Sequence, residues 1–136
     1  MWHKDFNDRL KSWSALRTEI QTIPLEQALY MINDWWHQAP WTGYYLHWDD
    51  RETWPDPWQL LSDNIYCDVA RGLGILYTVT LTQHKELTSA ELVLTEDSRN
   101  LVLINKGKYT LNWDKEVMVN TPLSKKVRHC FIKSGL

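Results

Sequence analysis

The sequence predicts an α+β domain in which N-terminal helices, one of them bearing a cysteine, pack on an antiparallel sheet of three to five strands. Three observations lead there. Apolar residues recur at helical spacing through the first half of the chain. Short runs rich in β-branched residues, punctuated by turn signals, fill the second half. The two kinds of segment do not alternate, which argues for segregated helices and strands rather than a parallel βαβ sheet. A chain of 136 residues is long enough for one complete domain and short for two. Residues 1–136 are therefore read as a single domain, with a helical part at about 1–74, a sheet part at about 75–120 and a basic tail at 121–136.

The first helix is written in "KDFNDRLKSWSALRTEI", residues 4–20, where Phe6, Leu10, Trp13 and Ile20 fall close to one face. A second begins at Pro24, a good first-turn residue, and runs through "LEQALYMINDWWHQA" to Pro40. Residues 40–57, with Pro40, Pro55, Pro57 and Gly43, form a long loop of the length at which function or special packing is found. The third helix starts near Pro57, with Asp56 as its N-cap. Trp58, Leu61, Ile65, Val69 and Leu73 continue its buried stripe past Cys67, and Gly72 and Gly74 weaken or stop it.

The strands follow. "ILYTVTLTQ" at 75–83 is rich in β-branched and aromatic residues and reads as the first. "AELVLTE", "NLVLIN" and "KYTLNW" read as three more, joined by hairpin turns at "DSR" and "KG". "EVMVN" at 116–120 adds a short one, and "SKKVRHCFIK" fits no single element.

Composition narrows the function. A formal net charge of −2 gives no global basic field for nucleic acid or anionic lipid. The aromatic residues sit in the acidic half and the cations in the tail, which also argues against a nucleic-acid groove. No apolar run reaches the length of a membrane span, and the N-terminal stretch lacks the apolar core of a secretory signal. Two cysteines, Cys67 and Cys130, make neither a disulfide framework nor a zinc motif. His37, His47, Asp49 and Asp50 match no metal-ligand spacing, and "RGLG" lacks the spacing and lysine of a nucleotide loop, so no metal or cofactor is expected.

Charge is unevenly placed. Asp49, Asp50, Glu52, Asp56, Asp63 and Asp68 stand against Arg51 alone, whereas Lys125, Lys126, Arg128 and Lys133 have no acid among them. These segments can pair within the fold or across copies. Eight of the nine tryptophans lie within residues 2–58, a density that suits an aromatic core, a sugar platform or a protein interface.

The order of helices, a Cys-bearing helix and consecutive antiparallel strands, with "CDVARGLGI" on that helix, resembles the papain-like, transglutaminase-like fold. In that family a cysteine opens a helix of pattern C-x-x-x-A-x-x-L-G, and the strands that follow supply a histidine and then an aspartate. The resemblance covers residues 55–114 and implies Cys67 as the nucleophile position. Where the family's histidine opens a strand, this chain has Asn100, which cannot take the thiol proton at neutral pH. Asp114, or Asn112 before it, stands for the third member. His84 is the histidine nearest the strands, at the end of the first of them, so the catalytic candidates are Cys67, His84 and Asp114. The block "DPWQLLSDNIYCDVARGLGILYT", with the lead-in "DWWHQAPWTGYYLHWDD", also resembles small proteins of T4-like tailed phages. That resemblance implies a phage-encoded protein of the infected cytoplasm or the virion.

The reading taken forward is a non-catalytic interaction domain, with a thiol hydrolase using Cys67 as the alternative. The interface candidates are Trp41, Tyr44, Tyr45, Trp48 and Trp54 in the loop, assisted by Lys125, Lys126 and Arg128. The partner expected is a protein, either another virion subunit or a second copy.

Overall fold

A computed structural model describes residues 2–123 and 126–131. It is an α+β structure with N-terminal helices packed on an antiparallel sheet. Lys125 and Lys133 lie outside the described residues.

Helix α1 spans Phe6–Ile20, and the Asp5 carboxylate caps it by accepting the Asp8 N–H at 3.2 Å. Helix α2 spans Leu25–His37 behind Pro24, whose carbonyl accepts the Ala28 N–H. A short 3-10 helix at Trp48–Thr53 breaks the loop that follows. Helix α3, Pro57–Asp63, is capped by Asp56 through the Gln59 N–H at 2.8 Å, as the sequence predicts.

The single long third helix is corrected. Asn64 takes a left-handed conformation, φ 53°, and ends α3 after two turns. Tyr66 then runs extended, bridging Trp41 and donating its hydroxyl to the Leu60 carbonyl. A new helix, α4, spans Asp68–Thr82 with Cys67 as its N-cap residue. The strand expected at 75–83 is therefore the second half of α4, and the sheet starts at Ala90 rather than near 75.

Two physical facts override local propensity there. First, α4 is the central element, with α1, α2 and α3 on one side and the sheet on the other, so a helix apolar nearly all round is what the site demands. Its threonine hydroxyls are satisfied by bonding back one turn: Thr78 to the Gly74 carbonyl at 2.7 Å, Thr80 to Leu76 at 3.0 Å, Thr82 to Thr78 at 2.7 Å. Second, the glycines do not stop the helix; they let neighbours approach. A Cβ on Gly72 would stand 2.7 Å from Leu92 Cδ1, and one on Gly74 would stand 2.6 Å from the Trp36 ring.

The sheet comprises β1 (Ala90–Thr95), β2 (Asn100–Ile104), β3 (Tyr109–Leu111), β4 (Met118–Val119) and β5 (Val127–Phe131), in the order β4-β3-β2-β1-β5. The expected hairpins are present, with Ser98, Asn105, Lys106 and Gly107 at positive φ in the turns. Leu92, Val102, Ile104 and Leu111 face α4, while Val93, Leu101 and Leu103 form a small cluster on the other face with Leu123. The described end of the basic tail is β5, an edge strand on β1 rather than an appendage.

Most of the tryptophan goes into packing. Trp13, Trp36 and Trp48 are buried, and Trp2 rests on Trp35 at 4.7 Å and Trp36 at 5.9 Å. Both Trp13 and Trp36 donate their indole N–H to the Thr78 hydroxyl, at 2.8 and 2.9 Å.

His37 closes α2 by donating its Nδ1–H to the Asn33 carbonyl at 2.7 Å. Burial holds its imidazole below the usual histidine range. The unfolded chain therefore takes up this proton first as pH falls through about 6.5. The associated stability is complete above that value and is lost as pH drops toward the depressed folded value. The melting temperature is expected to fall between pH 7.5 and 5.5, and His37→Gln, which keeps a donor for Asn33, is expected to fall less. An equal loss in both proteins would assign the acid sensitivity to another group.

Candidate functional site

The N-terminal end of α4, the first residue of β2 and the chain just past β3 converge. Cys67 precedes the first turn of α4, is 4% exposed, and its sulfur accepts the Leu46 backbone N–H at 3.4 Å. Asn100 opens β2 and lines the same cleft as Cys67. The Asp68 carboxylate accepts the Asn100 side-chain N–H at 2.9 Å and its backbone N–H at 3.3 Å. From the other side the Trp48 indole donates to Asn100 Oδ1 at 2.7 Å. Asn100 is thus held at both ends of its amide, a group that is no base for a thiol at neutral pH.

Asn112, at φ 63°, completes the support. Its side-chain N–H groups reach the Asn100 carbonyl at 2.7 Å and the Asp68 carbonyl at 3.1 Å, and its backbone N–H donates to Asn33 Oδ1 at 3.0 Å. Its own Oδ1 is buried without a hydrogen-bond partner among the described residues. Asp114 is exposed and contributes its backbone carbonyl, which accepts from Asn33 Nδ2 at 2.8 Å.

His84 is corrected. It follows α4 instead of ending a strand, and lies about 25 Å along the helix axis from Cys67. Its imidazole is buried there, bonded to the Ile23 carbonyl at 2.6 Å and accepting the Glu86 N–H at 3.1 Å. Sequence reasoning missed a different histidine. His129, on β5 opposite Leu94, stacks on Trp48 at 5.6 Å and 17°. With Cys67, His47, Trp48 and Asn100 it lines a cleft of about 440 Å³ over the start of α4. The signal that carried it was the alternation of "VRHCF", which places His129 on the same face as Leu94.

The aromatic loop divides. Trp41 and Tyr44 stand 64% and 67% exposed. Tyr45 is half-buried, and its hydroxyl bonds the Asp63 carboxylate; burial, then that carboxylate, push the phenol up to about 12. Trp48 turns inward. Trp54 is half-buried against Phe131 at 5.1 Å and donates its indole N–H to the His47 carbonyl. Lys126 and Arg128 are exposed.

The acidic and basic segments are neighbours in one chain, joined by the Trp48–His129 stack and by the Arg51 guanidinium on the Cys130 carbonyl at 3.2 Å. Among the described residues no ion pair links them. Nor does any group of three or more His, Cys, Asp or Glu side chains converge there as metal ligands. No described helix is long and apolar enough to cross a membrane.

None of the family models, curated proteins or solved structures compared with this chain matches it.

Proposed function

We propose that this protein is a non-catalytic, phage-encoded interaction domain built on a transglutaminase-like frame, binding a protein partner through the exposed part of its aromatic loop. The observation that carries this reading is the state of Asn100. It occupies the strand-opening position at which the family carries its base, yet it is tied to Trp48 and Asp68 and has nothing with which to deprotonate Cys67. Trp41 and Tyr44 are left to solvent near the mouth of the same cleft, and Tyr44 lines it. Large aromatic side chains with solvent on most of their surface are the groups that protein interfaces bury most profitably. The phage origin is supported by the texture of residues 34–78 described above.

One observation favours a second reading. The cleft gathers Cys67, His47 and His129 on its walls, the elements of a thiol hydrolase with an unconventional base. Turnover of p-nitrophenyl acetate separates the two. In a Cys130→Ala background, wild type and Cys67→Ala are expected to agree within about twofold, with no acyl adduct in the intact mass. Turnover that depends on Cys67 would sink the non-catalytic reading and promote the hydrolase. For the interaction itself, Trp41→Ala with Tyr44→Ala is expected to lose proteins of the infected-cell lysate that both wild type and Cys67→Ala retain. Retention by the aromatic variant would remove the loop from the account.

A further inference from the structure

The segment that precedes α1 carries an indole into a pit shaped to hold one. Trp2 packs on Trp35, Trp36 and Tyr66 with ring centroids at 4.7, 5.9 and 5.5 Å. Its Nε1–H donates to Asn64 Oδ1 at 2.8 Å. The walls of this pit are fixed by partners other than Trp2. The Trp35 indole donates to the Ser12 hydroxyl at 3.0 Å, the Trp36 indole to the Thr78 hydroxyl at 2.9 Å, and the Tyr66 hydroxyl to the Leu60 carbonyl at 2.9 Å. Asn64 is set by its left-handed turn at the end of α3. Three aromatic side chains and one acceptor, each held independently of the ring they receive, match a flat ring with a single N–H.

The filler is anchored in another way. Residues 2–5 belong to no helix or strand, and of their side chains His3, Lys4 and Asp5 are exposed while Trp2 is half-buried. The buried Arg9 guanidinium donates to the His3 and Lys4 carbonyls at 3.0 and 2.8 Å, and its Nε donates to the Leu61 carbonyl at 2.9 Å. The segment is thus strapped down by its main chain, and Trp2 is the side chain it delivers.

We propose that this pit is an indole-binding site, filled in cis by Trp2, whose occupancy steadies the connection that bears Cys67. Tyr66 joins the pit to the candidate site. Its backbone bridges Trp41, its carbonyl accepts the Thr42 N–H at 2.7 Å, and Cys67 follows it in the chain. An empty pit takes a hydrogen bond from Asn64 and a ring contact from Tyr66, which loosens residues 64–67 and opens the sulfur to solvent. A tethered indole competes with a free one at the effective concentration its short tether sets. The intact protein therefore takes an external indole weakly, and a protein without the Trp2 ring takes it well. This inference rests on the reading of the Cys67 cleft and aromatic loop as the functional site, but its test involves no partner, so the two fail separately.

Isothermal titration of indole into the full chain carrying Trp2→Ala, in a Cys130→Ala background, is the test. One-to-one binding is expected, at least about tenfold tighter than to the parent that keeps Trp2. Binding of 1-methylindole, which has the ring without the N–H, is expected to be about tenfold weaker than that of indole. Alkylation of Cys67 by iodoacetamide should be at least about tenfold faster in Trp2→Ala than in the parent, and should slow as indole saturates. Leu103→Ala, in the cluster on the far face of the sheet, supplies a protein loosened elsewhere, and its labelling should not respond to indole. Asn64→Gly suits the left-handed position and keeps the Trp2 ring, so it tests the same link without emptying the pit, and it is expected to label about threefold faster. No saturable indole binding by a folded Trp2→Ala protein would overturn the site, as would equal binding of 1-methylindole. Unchanged Cys67 labelling in Trp2→Ala or in Asn64→Gly would overturn its hold on the cysteine.

Discussion

Replacing Thr78 by valine is expected to destabilise the protein by about 4 kcal/mol, from two buried donors at about 2 kcal/mol each. The Thr78 hydroxyl has one proton and two lone pairs, and the fold uses all three. It donates to the Gly74 carbonyl and accepts the indole N–H groups of Trp13 and Trp36. Valine keeps the shape but leaves both indoles without an acceptor in a site where Trp13 is 0% and Trp36 1% exposed. It also sets a methyl group where the two indole nitrogens stand at 2.8 and 2.9 Å, closer than a carbon tolerates, so both rings must back away. The loss is a large share of the roughly 5–15 kcal/mol by which a domain is stable. Urea unfolding followed by tryptophan fluorescence should show a lower midpoint at unchanged slope. Thr78→Ser keeps the hydroxyl and is expected to lose only about 1 kcal/mol. If serine proves as harmful as valine, the methyl group rather than the shared hydroxyl holds α1 and α2 to α4.

This one hydroxyl shows why the second half of α4 reads as a strand in one dimension and folds as a helix. The elements whose signals are local were legible: the periodicity of α1 and α2, Asp56 before Pro57, and the turns joining β1 to β2 and β2 to β3. "ILYTVTLT" carries a strand's composition, and its local preference yields to the pairing of Thr78 with two tryptophans 65 and 42 residues away. Gly72 and Gly74 look like helix breakers until Leu92 and Trp36 are seen where their Cβ atoms would be. The gap at residues 64–67 was readable in principle, since asparagine accepts a left-handed conformation more easily than most residues.

The candidate site was legible in the same partial way. Cys67 at the head of a helix and Asn100 at the head of a strand were both visible in one dimension. Trp48 and His129 were not, because 81 residues separate the stacked rings and β5 had no clear reading. Of the aromatic loop, spacing alone could not divide Trp41 and Tyr44, which reach solvent, from Trp48 and Trp54, which β5 covers. That division follows from the pairing of β5 with β1, which brings His129 and Phe131 beneath the loop.

Asn100→His is expected to raise the rate of Cys67 alkylation by iodoacetamide at neutral pH by at least about tenfold, measured in a Cys130→Ala background. A thiol reacts through its thiolate, and an imidazole within reach supplies both an acceptor for the proton and a cation to pair with the sulfur. Asp68, now bonded to the Asn100 amide, is placed to accept an imidazole N–H in its stead and so to orient the ring. Trp48 loses its acceptor and Asp68 one of its donors, so a stability loss of about 2 kcal/mol accompanies the gain. Near-UV circular dichroism and the urea midpoint establish that the labelled species is folded, since unfolding also exposes the thiol. Pairing the change with Trp48→Phe removes the orphaned indole donor and guards against a protein that labels only because it has loosened. Acceleration in a folded variant means that position 100 commands the sulfur, and that asparagine is what keeps this frame silent. An unchanged rate in a folded variant means that position 100 does not reach the sulfur, and the transglutaminase-like reading of the cleft falls with it.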